Sequence, residues 1–140
     1  MYELKDFWSR YDHTWVTFTN ANGPGQLKDE KNVVFTSFPT NFPNLPNNIK
    51  NTFLALKMVL SGKYTHILST GAGVGVPFIW FGWLFSPFLK TKTIFIDSLT
   101  RTQGISFSMK LVYFFSHLRL TQWPDNKRKY SRLLYKGKVL

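Results

Sequence analysis

Cysteine is absent from this 140-residue chain, which excludes disulfides, thiolate metal ligands and cysteine nucleophiles. Histidine is scarce: His13, His66 and His117 stand far apart with no ligand spacing, so no metal and no cofactor is expected. Acid is nearly missing beyond residue 49. Residues 1–49 carry four Lys/Arg and five Asp/Glu, whereas residues 50–140 carry fourteen Lys/Arg against Asp97 and Asp125 alone. Within a net charge of +11, that asymmetry suits an anionic partner such as lipid headgroups, a phosphorylated ligand or nucleic acid. A basic solvated face fits the same count. Met1–Asp6 is charged rather than basic-then-apolar, so no cleavable leader is expected there.

What is present is a packed chain, 44% hydrophobic and 18% aromatic, of a length suited to one domain over residues 1–140. Its centre is Ser69-Thr70-Gly71-Ala72-Gly73-Val74-Gly75-Val76-Pro77. His66-Ile67-Leu68 before it reads as the end of a buried strand. Phe78-Ile79-Trp80-Phe81 after it opens an apolar helix, with Pro77 in the first turn, where a missing N–H costs nothing. A strand, a glycine loop and a helix start make an anion cradle, because the backbone can be approached closely and first-turn N–H groups point outward. The spacing G-x-G-x-G fits neither the dinucleotide fingerprint nor the P-loop. A tight turn without a ligand fits it equally.

Around this centre the chain alternates. Leu4, Phe7, Trp8 and Tyr11 share one helical face, and strands are expected over 14–19 and 32–36. A turn over 20–25 and a Pro/Asn loop over 37–48 follow these strands. From about Asn48 a helix is expected with Ile49, Phe53, Leu56 and Leu60 on one face and Leu54 and Met58 beside it, stopping near Gly62. Thr93–Ile96 reads as a strand covered on both faces, ending in Asp97-Ser98. A helix over 106–115, a strand over 118–123, a basic stretch from Lys127 to Arg132 and a last strand over 133–135 complete the pass. Such alternation predicts an α/β fold with a parallel sheet, in which ligands sit outside the carboxyl ends of the strands. The loops at 69–77 and 97–104 are therefore expected on one rim.

Residues 67–89 run 23 positions without a charge, long enough to span a bilayer. Gly71, Gly73, Gly75, Pro77, Gly82 and Pro87 break the run, so a helix over 77–89 is expected instead. Trp80, Trp83 and Phe85 with Lys90 and Lys92 suit the surface of an anionic membrane, and an ordinary core helix fits the same residues.

Several short stretches occur in an order that carries a resemblance. They are Trp15-Val16-Thr17-Phe18, Pro39-Thr40-Asn41, Ser69-Thr70-Gly71-Ala72-Gly73 with Pro77-Phe78, and Ile94-Phe95-Ile96-Asp97-Ser98. Arg101, Val112-Tyr113, Gln122-Trp123-Pro124 and Tyr135-Lys136-Gly137 complete the series. The set resembles the bacterial exopolysaccharide and capsule glycosyltransferase subunits (PssD/EpsE-like). It is similar also to the ER subunit that anchors the two-part UDP-GlcNAc transferase acting on dolichol-linked sugar. The resemblance implies a Rossmann-like domain like the N-terminal half of a GT-B glycosyltransferase such as MurG. It implies a peripheral place on the cytoplasmic face of a membrane and a separate nucleotide-sugar-binding subunit.

The resemblance also assigns roles. Ser69, Thr70, Gly71, Ala72, Gly73, Ser98 and Arg101 would bind the lipid-pyrophosphate-linked saccharide acceptor, with Asp97 as the catalytic acid/base position. Family members often carry Glu-Ser where this chain has Asp97-Ser98, and Thr-Gly-Lys where it has Ser108-Met109-Lys110. Members also begin with a further strand and a glycine-histidine loop, so the sheet here is expected to lack its first, central strand. Two other classes remain: a non-catalytic scaffold that keeps only the partner interface, and a basic nucleic-acid-binding module. For the latter no RNP, KH or helix-turn-helix signature is present, so no nucleic acid is expected.

Overall fold

The structure is a computed structural model that describes residues 4–18, 27, 30–36, 45–71, 73–100 and 102–137. The expected turn at 20–25 and the 39–41 loop lie outside them. Helix α1 (Lys5–Trp8) leads into strand β1 (Trp15–Phe18), and β2 (Val33–Thr36) precedes helix α2 (Leu45–Leu60). Strand β3 (His66–Ser69) runs into α3 (Gly75–Leu84) and α4 (Ser86–Leu89), followed by β4 (Lys92–Ile96). Helix α5 (Phe107–Val112), β5 (Leu118–Thr121), α6 (Pro124–Lys129) and β6 (Leu134–Tyr135) end the sequence of elements.

Every strand pair among the described residues is parallel, as the alternation of β-branched runs with helices predicts. Strands β3-β4-β5-β6 form one sheet with Ile67 opposite Thr93 and Ile94 opposite Leu118. Strands β1 and β2 form a second, with Trp15 opposite Val33. Among the described residues the two sheets share no ladder: β1 pairs with β2, and β3 with β4.

Side chains rather than ladder bonds tie the two sheets together. The Tyr64 hydroxyl donates to Thr14 Oγ1 at 3.4 Å, at the amino ends of β3 and β1. Val16 of β1 packs against a cluster of Ala55, Val59 and Phe78 from α2 and α3. A larger cluster (Ile79, Phe95, Met109, Val112 and Leu133, with Val76 and Ile105) holds the four-stranded sheet to α3 and α5. Helix α3 serves both clusters, which explains why it is apolar nearly all round.

Three expectations change, and the outward face of α2 is settled. In α2 the buried positions are Asn51, Ala55 and Val59, while Ile49, Phe53 and Leu60 are exposed. Ala55, with no side-chain exposure, lets α2 approach α3 closely, and that contact sets the rotation of the helix. The helix expected over 77–89 is two helices. Ser86 and Pro87 open α4 after the break at Phe85, and Lys90 closes it in the left-handed region with φ 54°. Helix α5 stops at Val112, where Phe115 N–H turns back to the Val112 carbonyl at 3.0 Å. The basic stretch is largely helical: α6 carries Lys127, Arg128 and Lys129 in its last turn, where cations complement the helix dipole.

Candidate functional site

The glycine loop is shaped by close approach. Ser69, the last residue of β3, is buried. Gly75 begins α3 directly over it, and a Cβ on Gly75 would collide with the Ser69 hydroxyl. Gly71 has φ +99°, a conformation that side-chain-bearing residues rarely adopt. The place a Cβ would take on Gly71 lies 3.5 Å from the Ser98 amide nitrogen and 3.6 Å from Ser98 Cβ. The loops after β3 and β4 thus meet on one rim at the carboxyl ends of their strands. Of the four N–H positions that open α3, Val76 already donates to the Gly73 carbonyl at 3.2 Å and Pro77 has none.

The second loop is anchored from beneath. Asp97 is 2% exposed. Its carboxylate accepts the Ser98 N–H at 3.0 Å and the Ser106 N–H at 3.3 Å, closing the loop between them. Ser106 in turn caps α5, its hydroxyl accepting the Met109 N–H at 3.1 Å. Three side chains from the β5–α6 segment then hold the loop's carbonyls. Gln122 Nε2 donates to Asp97 O at 2.9 Å, Trp123 Nε1 to Leu99 O at 3.0 Å, and Asn126 Nδ2 to Gly104 O at 2.9 Å. The Ser98 hydroxyl, half-buried, sits 2.9 Å from the Thr100 hydroxyl at the surface.

The structure therefore brings together Ser69, Thr70, Gly71 and Gly73 on one loop with Asp97 and Ser98 on the other. Ala72 and Arg101 lie outside the described residues. Sequence reasoning did not single out Ser106 or Asn126, and it quoted Gln122 only as part of a resemblance. Their signal is the loop they brace: hydrogen-bonding side chains just past β5, facing a long loop after β4. No group of three or more His, Asp or Glu residues suited to a metal occurs among the described residues.

Beside the rim lies the space between the two sheets. A cavity of about 1070 Å³ runs between β1 and β3, bordered by Trp15, Val16, Ile67 and Phe78 and reaching Ser69 and Thr70 of the glycine loop. At the opposite, amino end of β4, His117 Nδ1 accepts the Thr93 N–H at 3.2 Å and sits 2.8 Å from the Thr93 hydroxyl. Burial, then Lys92 and Arg119, hold His117 below the ordinary imidazole value.

The aromatic residues of α3 divide. Trp80 and Trp83 are 40% and 37% exposed, and both meet Phe115 edge-on at 6.1 and 5.4 Å. Trp80 also donates to the Leu111 carbonyl at 2.9 Å. Phe85, expected beside them, instead stacks on Phe81 against the α2 cluster, because the helix break at this residue turns it inward. Among the described residues no helix is long and apolar enough to cross a membrane.

With this geometry in view, the comparisons are specific. Residues 40–139 match the family described as "Oligosaccharide biosynthesis protein Alg14 like", which takes in both loops of the rim. The chain belongs to the Alg14-like family. Curated relatives include UDP-N-acetylglucosamine transferase subunit ALG14 of Eremothecium gossypii, 33% identical over 51 residues, and that of Homo sapiens, 29% identical over 51. Those stretches cover 36% of this chain and only 23% and 24% of the relatives. In architecture, crystalline MurG from Acinetobacter baumannii is similar with a TM-score of 0.63 and 14% identity, over 87% of this chain and 36% of MurG. That likeness carries the fold: an Alg14-like chain on the plan of part of MurG. The family assignment favours the oligosaccharide-subunit half of the sequence resemblance.

Proposed function

We propose that this Alg14-like chain is the acceptor-side, membrane-associated subunit of a two-component glycosyltransferase. It would present a lipid-pyrophosphate-linked saccharide to a separate subunit holding the nucleotide sugar, on the cytoplasmic face of a membrane. The observation that carries this reading is the meeting of Gly71 with Ser98, which joins a glycine loop and a hydroxyl-bearing loop at strand carboxyl ends. A pyrophosphate needs donors that approach without steric hindrance. The backbone amides of Gly71 and Gly73 and the Thr70 and Ser98 hydroxyls would be such groups.

Asp97 enters the reading through the loop it holds. Its carboxylate is buried and already accepts two backbone N–H groups, so it acts as a positioning residue that sets Ser98 at the rim. Trp80 and Trp83, with Lys90 and Lys92, would rest on anionic headgroups. The ALG14 name of the relatives supports a subunit that works with a second chain.

The test is a titration of the purified chain with a short-chain polyprenyl-pyrophosphoryl-GlcNAc. Saturable binding that inorganic pyrophosphate competes away, and that Gly71→Val abolishes, is the expected result. No binding, either by the chain alone or by the chain with a co-purified nucleotide-sugar-binding subunit, would overturn the reading.

A further inference from the structure

Arg119 of β5 carries a donor that its own fold leaves over. The side chain is half-buried, and its Nη1 donates to the Tyr113 carbonyl at 2.8 Å, where α5 ends. That bond caps the helix, as a cation at a helix C-terminus does. It does not engage the rest of the guanidinium. Nε is buried and has no hydrogen-bond partner among the described residues. A buried donor on a charged group is costly to leave without an acceptor, and folded proteins seldom keep one.

A second guanidinium stands near it. Burial first, then Arg132, hold Arg119 below the ordinary guanidinium value. Arg132 is exposed, its guanidinium 4.9 Å over the Phe114 ring, and its backbone N–H donates to the Tyr113 hydroxyl at 3.3 Å. Both arginines thus converge on the turn at Tyr113-Phe114. No acid answers them. From Lys31 to Leu140 the acids are Asp97 and Asp125. Asp97 is buried on the Ser98 and Ser106 amides, and Asp125 lies 3.6 Å from Arg128. The free edge of a guanidinium suits the paired oxygens of an oxyanion. A phosphate group, with a charge of about −1.5 to −2 at neutral pH, balances two guanidiniums more fully than a carboxylate does.

We propose that Arg119 and Arg132 form a binding site for a phosphate group, in which Arg119 offers its Nε–H and Arg132 the second charge. Helix α5 starts at the rim with Ser106 and ends at this site with Tyr113, so the site is separate from the rim. It stands whether or not the rim takes a pyrophosphate. The bound group ties the turn after α5 to the segment that leads into β6, two stretches already joined by the Tyr113 hydroxyl.

Titration of the full chain with inorganic phosphate tests this, read by thermal unfolding and by the Arg119 Nε–H signal in nitrogen-edited NMR. Sodium chloride at matched ionic strength is the control. A saturable rise in Tm and a saturable shift of that signal are expected with phosphate and not with chloride. Arg132→Gln, at an exposed side chain, should leave the ligand-free Tm no lower and weaken phosphate binding by about tenfold. Arg119→Lys keeps the charge but loses the fork, and should weaken binding by about tenfold as well. Glycerol phosphate separates the two sources of the group. Binding as tight as that of inorganic phosphate assigns the site to a phosphate carried on a larger molecule, and weaker binding assigns it to the free ion; both support the site. A chloride effect equal to that of phosphate overturns the proposal. So does phosphate binding that Arg132→Gln leaves unchanged, a result that decides the matter even if the Arg119 variant fails to fold.

Discussion

Gly71 and Ser98 face each other across one van der Waals contact, with 3.5 Å between the Gly71 Cβ position and the Ser98 amide nitrogen. There is room for a methyl group at that distance. The obstacle is the backbone, held at φ +99°. Gly71→Ala should therefore cost about 1–2 kcal/mol in backbone strain rather than through a clash. Thermal unfolding measures it, with a fall in Tm of roughly 3–8 °C expected for a chain of this size. Ala at Gly73, which has nothing within 4 Å of its Cβ position, should leave Tm nearly unchanged.

Asp97 can be assigned by separating stability from turnover. Its carboxylate accepts backbone N–H groups from both ends of the loop, and an Asn in its place offers one carbonyl oxygen and one misplaced NH2. Asp97→Asn is expected to destabilise the chain by about 1–3 kcal/mol. If Asp97 positions the loop, sugar transfer by the assembled two-subunit enzyme should fall in step with that loss. A variant of unchanged Tm with no transfer would instead mark the carboxylate as a proton carrier.

A pH effect follows from His117. Its Nδ1 accepts a backbone N–H from Thr93, so the folded state requires the neutral ring, and burial lowers its pKa. For a base with a depressed folded pKa, the stabilising contribution is complete above the unfolded value of about 6.5. It is lost as pH falls through the folded value. Denaturant unfolding across this range should show stability declining with acid, and His117→Gln should flatten the decline. His13 works against it: the Tyr11 carbonyl at 2.7 Å and Glu30 at 3.0 Å raise its pKa. The stability His13 adds is present below about 6.5 and fades as pH rises through its raised value. The His13→Gln variant should accordingly lose a gain in stability as pH falls toward about 6.5, while the His117-linked decline below that pH keeps its slope.

Much of the fold was legible because parallel strands announce themselves. Trp15–Phe18, Val33–Thr36 and Lys92–Ile96 are β-branched or aromatic runs bounded by polar residues, and each is a strand within a residue or two of its expected place. The meeting of the glycine loop with Asp97-Ser98 was legible for the same reason: parallel strands deliver the loops that follow them to one end of the sheet. The face of α2 was not. Periodicity locates an apolar stripe but not what it touches, and small Ala55 makes the tighter fit against α3 than Phe53 would. Nor were the anchors Gln122 and Asn126, whose bonds span 25 and 22 residues and depend on how β5 is placed against β4.

The break between β1 and β3 bears on how the protein unfolds. Cooperativity passes through a sheet along its ladder, and here the ladder is interrupted. Two strands alone are marginally stable, so β1 and β2 depend on side-chain contacts, those of Val16 and Tyr64 among them, for their attachment. Such a unit opens at lower free energy than the four-stranded body, as a separate foldon. Amide exchange at Trp15–Phe18 should report that local opening, while Thr93–Ile96, flanked by strands on both sides, reports the global one. A melting curve followed by tryptophan emission would then carry two events, since Trp8 and Trp15 belong to the first and Trp80, Trp83 and Trp123 to the second.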